Sequence, residues 1–82
     1  MGSPVNDFEE VKLRVENAQK MVGSATISMD PGSLQHATTV VEEARYQLDT
    51  MKTVATDLDE PFLLNEEMKL KQCEHQLQEA KQ

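Results

Sequence analysis

The side chains able to do chemistry are few, and their spacing decides what they can do. Cys73 and His75 make a C-x-H pair near the end of the 82-residue chain. Residues two apart on a helix point to different faces, so the two cannot share one metal ion. A zinc site needs three or four ligands, and no further His or Cys cluster stands nearby. Cys73 falls on an apolar stripe and reads as a small buried hydrophobe. His36, early in the second helical segment, reads as a solvated surface histidine, with no nucleophile or orienting partner in reach.

Five carboxylates, Asp57, Asp59, Glu60, Glu66 and Glu67, form an acidic run without an intervening base. Hard cations take oxygen ligands, but the EF-hand spacing is absent and no E-x-x-H is present for a di-iron site. Acidic residues favour helix N-termini, so the run reads as a solvated capping cluster. Its functional alternative is a docking patch for a basic partner. No nucleophile–base pair, phosphate loop or metal ligand set emerges, and the expectation is a non-enzyme without a cofactor.

Net charge is −7 and the only aromatic residues are Phe8, Tyr46 and Phe62. Nucleic acid and anionic membrane surfaces are disfavoured partners, because both select clustered Lys and Arg. No apolar run approaches the length of a membrane span. Asp7, Glu9 and Glu10 occupy the place of a signal-peptide core. Asn6 stands where a myristoylation motif wants Ser or Thr. A single cysteine excludes an internal disulfide framework and points to a reducing cytoplasm.

The elements that position these residues are helical. The organising stripe is Leu34, Ala37, Val41, Ala44, Leu48, Met51, Ala55 and Leu58, three and four apart without interruption. Phe8, Val11, Val15, Ala18, Val22, Ala25 and Met29 form a second stripe. Leu63, Leu70, Cys73, Leu77 and Ala80 form a third, which Glu66 interrupts. Asp7 with Glu10 resembles a capping box. Asp30-Pro31-Gly32-Ser33 breaks the chain once, with Asp30 or Ser33 as the next cap. Asp57 to Pro61 breaks it again.

The fold class predicted is all-α: an antiparallel up-down-up three-helix bundle with coiled-coil-like heptad packing. The helices span about 7–29, 32–56 and 60–81 in a single domain over 7–82. Residues 1–6 are a flexible lead-in, whose first three read as a cloning remnant. Gly23-Ser24 weakens the first helix, leaving residues 24–29 either helical or folded back as a lid.

Matching the stripes places Ala18 against Ala44 with Leu77 above them, Val11 and Met51 beside Leu70, and Leu58 beside Leu63. In this register the third helix runs out opposite Val41. The hairpin of the first two helices then projects about 8–10 Å beyond it. The projecting tip carries Met21, Ile27, Met29, Leu34 and Val40, the candidate partner-binding residues.

The stretch Ala18-Gln19-Lys20-Met21-Val22-Gly23-Ser24-Ala25-Thr26-Ile27-Ser28-Met29-Asp30-Pro31, with Cys73-Glu74-His75-Gln76-Leu77 downstream, resembles a short family of acidic proteins of Bacillus-like Gram-positive bacteria. That family has no assigned activity, so the resemblance implies a bacterial cytoplasmic setting and transfers no functional residue. The expected function is a protein–protein interaction module that forms a homodimer or docks a partner helix through the tip. The alternative is a small helical chaperone or regulatory subunit with one dedicated client. No small-molecule substrate is evident in the sequence.

Overall fold

A computed structural model describes residues 7–81. The lead-in reading of residues 1–6 lies outside the described residues, as does the side chain of Asp7 with its capping role. Three helices are present: α1 (Asp7–Ser28), α2 (Pro31–Lys52) and α3 (Glu60–Ala80), with a 3-10 turn at Asp57–Asp59 before the last. The described residues contain no strand. Each helix contacts the other two, an arrangement that fits a bundle.

Fifteen apolar residues make the core, drawn from all three stripes: Val11 to Ala25 on α1, Leu34 to Met51 on α2 and Leu63 to Leu77 on α3. The three-and-four spacing keeps each set on one face of its helix. Phe8 and Phe62 close one end of the core edge to face, with ring centroids 5.6 Å apart. Buried alanines (Ala18, Ala25, Ala37, Ala44) occupy the α1 and α2 stripes at intervals. Small side chains there permit close approach of the backbones.

The first helix does not fray at Gly23-Ser24. Val22 and Ala25 on either side of Gly23 are buried, and that burial outweighs a glycine cost of about 1 kcal/mol. The Thr26 hydroxyl folds back onto the carbonyls of Val22 and Gly23 at 2.9 and 3.1 Å, a bond to its own helix that keeps this polar side chain paired. α1 therefore runs to Ser28, and the folded-back lid is not formed. Met29 ends the helix in the left-handed region, φ 58°, donating its N–H to Ala25 O at 2.8 Å. This is the αL cap that glycine usually provides. Asp30 then caps α2: its Oδ2 accepts the Ser33 N–H at 2.9 Å, and Pro31 enters the first turn.

The second helix is shorter than its apolar stripe. It stops at Lys52, where Thr53, Val54 and Thr56 bring β-branched side chains of low helix propensity. Thr53 folds its hydroxyl onto Thr50 O at 2.7 Å. Asp59 accepts both the N–H and the hydroxyl of Thr56, each at 3.1 Å, and so fixes the 3-10 turn. Leu58 belongs to this turn and is 92% exposed. It does not extend the α2 core stripe.

The end of α3 reaches the α1–α2 junction, which the register matched from the stripes leaves uncovered. Leu77 shares a cleft with Thr38 and Val41. Ala80 and Lys81 line a cleft with Pro31, Leu34 and Thr38. Thr26 and Met29 meet Gln76, Glu79 and Ala80 in another. The α1–α2 tip is consequently covered by α3, and Ala25, Leu34 and Ala37 are all buried.

Met29 is a methionine in a conformation that costs a side-chain-bearing residue roughly 1–2 kcal/mol. Replacing Met29 with Gly should raise stability by about 0.5–1 kcal/mol, because glycine's greater unfolded-state freedom offsets part of the relief. Chemical denaturation of the two proteins measures the shift. An unchanged or lower midpoint would contradict the strained cap.

Candidate functional site

The densest polar cluster lies between α2 and α3 and begins with spacing. Glu67 and Glu74 are seven apart on α3, hence on one face two turns from each other. Arg45 projects from α2 between them. Its Nη1 donates to both oxygens of Glu67 at 2.7 Å. Its Nε and Nη2 donate to the two oxygens of Glu74 at 3.1 and 3.0 Å, a bidentate fork. Lys52 adds a second cation to Glu67, and Asp49 lies 3.7 Å from Arg45 and 3.8 Å from Lys52. On the other side of α2, Gln47 Nε2 donates to Glu10 of α1 at 2.7 Å.

Burial alone would push the Glu67 carboxyl up, but hydrogen bonds from Arg45 and Lys52 outweigh it and hold Glu67 below the usual carboxylate range. Arg45 is driven further up, chiefly by Glu74, against the opposing effect of burial. Both groups remain charged across the physiological range. The seam is an electrostatic fastening with no proton to exchange at neutral pH.

The acidic run is not one solvated cluster. Asp57 and Glu60 are exposed, and Asp59 is engaged by Thr56. Glu67 is half-buried in the seam. Glu66, with 1% of its surface exposed, is inside the core. Its Oε2 accepts from Lys69 Nζ at 3.2 Å, while Oε1 is buried without a hydrogen-bond partner. Sequence reasoning recorded Glu66 as a gap in the stripe. The signal that the gap is filled by a buried carboxylate was its heptad position between Leu63 and Leu70.

Cys73 is buried, and burial pushes its thiol up, with the Glu74 charge adding to the effect. A thiol so placed is a poor nucleophile. His75 is exposed and sits 3.3 Å from Glu79 on its own helix; His36 is also exposed. Among the described residues, no group of three or more His, Cys, Asp or Glu is arranged to hold a metal ion.

The five expected tip residues part company. Leu34 is in the core, and Met21 and Val40 are half-buried against it. Ile27 is 85% exposed and Met29 50%. Large apolar side chains are also exposed at Leu13, Tyr46, Val54, Leu58, Leu64 and Met68. Val54, Leu58 and Leu64 stand at the α2–α3 end of the fold, beside a cleft lined by Lys52, Ala55, Asp57 and Leu63. Sequence reasoning placed Leu58 inside, because its position continues the α2 period.

The described residues define an all-helical protein, and comparison with known proteins gives its family. The chain belongs to the family described as "Protein of unknown function (DUF2564)", which it matches over residues 4–82. It is similar to "Uncharacterized protein YpzA" of Bacillus subtilis (strain 168), with 33% identity over 76 residues, covering 93% of this chain and 84% of the relative. No solved structure matches. No described helix is long and apolar enough to cross a membrane.

Because the folded-state pKa of Glu67 is depressed, the seam contributes stability above the ordinary carboxylate pKa and loses it as pH falls through the folded value. Glu67→Gln should cost roughly 1–2 kcal/mol near neutral pH. As pH falls through the folded-state pKa of Glu67, the variant's melting curve should converge on that of the parent protein. A deficit that persists undiminished in acid would assign the loss to packing rather than to the charged pairs.

Proposed function

We propose that the chain is a non-enzymatic protein–protein interaction module of the bacterial cytoplasm, which self-associates or docks a partner helix. Its three helices form an antiparallel up-down-up bundle with coiled-coil-like heptad packing. Three contacts support that topology. Glu10, early in α1, meets Gln47, late in α2. Arg45, in the second half of α2, reaches both Glu67 and Glu74 of α3. Phe8 and Phe62, each near a helix start, stack edge to face.

The observation that carries the functional reading is the exposure of Ile27 and Met29 at the α1–α2 junction, while the core is already complete beneath them. Single exposed apolar residues are ordinary. Two at the same helix junction of a small acidic protein offer apolar surface that a two-fold axis would bury on both subunits. Val54, Leu58 and Leu64 give a second such patch at the opposite end.

Replacing Ile27 and Met29 with Ser together should lower the light-scattering mass to that of a monomer, with helicity retained. The corresponding change at Leu58 and Leu64 distinguishes the two ends: if it alone dissociates the protein, the contact lies there and the tip reading is lost. A parent protein that is monomeric at high concentration, and that retains no companion through purification from its native cytoplasm, would remove the interaction reading altogether.

A further inference from the structure

Glu66 is a carboxylate in the core with one oxygen unpartnered, and no surface role accounts for it. A buried carboxyl oxygen without a partner raises the free energy of the packed state, even with Lys69 on the other oxygen, and that cost is recovered whenever the group returns to water. Its location determines which element would move. Among the described residues, α3 buries the fewest apolar side chains, namely Leu63, Leu70, Cys73 and Leu77, against five on α1 and six on α2. The interface between α1 and α2 is the broadest of the three. α3 follows a connection at residues 53–59 that is largely exposed and held by short-range bonds within itself and to the last turn of α2.

We propose that α3 is the releasable helix of this fold, leaving the α1–α2 hairpin as a unit by sub-global opening, with the buried Glu66 setting how readily it leaves. The seam works in the opposite direction. Arg45 and Lys52 hold Glu67 and Glu74 from the α2 side, so α3 is tethered by charge along one edge and destabilised by an unpartnered carboxyl oxygen within its core face. Opening exposes Leu63, Leu70 and Leu77 together with the apolar face of the hairpin. It also brings Cys73, otherwise 3% exposed, into water. This inference is independent of where partners bind.

Cys73 is thus a built-in reporter. The intact protein is treated with an aromatic disulfide thiol reagent across low denaturant concentrations, and amide hydrogen exchange is followed in parallel. The expected result is that Cys73 labelling and the α3 amides share an opening with a shallower denaturant dependence than that of the α1 and α2 core amides. Glu66→Met, which fills the site without a charge, should slow Cys73 labelling at least tenfold. Identical protection and slopes in all three helices would overturn the inference, since α3 would then leave only with global unfolding. Labelling in Glu66→Met as fast as in the parent protein, or failure of that variant to fold, would overturn the role of Glu66.

Discussion

Arg45 stands between two carboxylates on the neighbouring helix, and the position of α3 along α2 follows from that pairing. An apolar stripe with three-and-four spacing specifies which face of a helix is buried. It specifies much less well where along its length a neighbour sits, because a shift of one turn brings another apolar layer into nearly the same place. Ion pairs at the flanking positions remove that degeneracy. With Glu67 and Glu74 both bound to one guanidinium, sliding α3 by a turn would break several charge-assisted bonds at once. The cover that α3 gives to Leu34, Ala37 and Ala25 is a consequence of this placement.

Two charged residues adjacent in sequence have opposite effects on the fold. Glu67 lies one step off the buried stripe, where two cations reach it and its charge is stabilised. Glu66 lies on the stripe, where Lys69 reaches only one of its oxygens. A small aliphatic core of this kind has little stability in reserve, so a buried carboxylate with an orphan oxygen is a considerable liability. Keeping such a group on the helix with the fewest buried apolar side chains concentrates the weakness in α3 and leaves the α1–α2 hairpin as the firmer half.

The surface divides along similar lines. Of the large apolar groups outside the core, Ile27 and Met29 lie at the α1–α2 junction and Val54, Leu58 and Leu64 at the α2–α3 end, while the polar network occupies the flank between α2 and α3. The family to which the chain belongs has no assigned activity, and the described side chains hold no nucleophile activated by a base. Cys73 is shielded from solvent, and His75 is paired with a carboxylate of its own helix.

By itself the sequence determined the three helices and most of their inward faces, because the period of apolar residues is a local property read along one chain. Val15, Ala18, Val41, Ala44, Leu48, Leu70 and Leu77 are buried where that period places them, and the Asp30-Pro31 break caps α2 by chemistry confined to four residues. Tertiary structure decided the rest. Leu58 continues the α2 period but lies outside, because the preceding β-branched residues end the helix before the stripe does. Gly23 remains helical because burial on both sides exceeds its local cost. The seam at Arg45 was invisible in the sequence because its partners are 22 and 29 residues away and ordinary glutamates in composition. The candidate tip lost Leu34 to the core for the same reason: how far α3 extends over the hairpin is set by contacts between helices, which no single helix encodes.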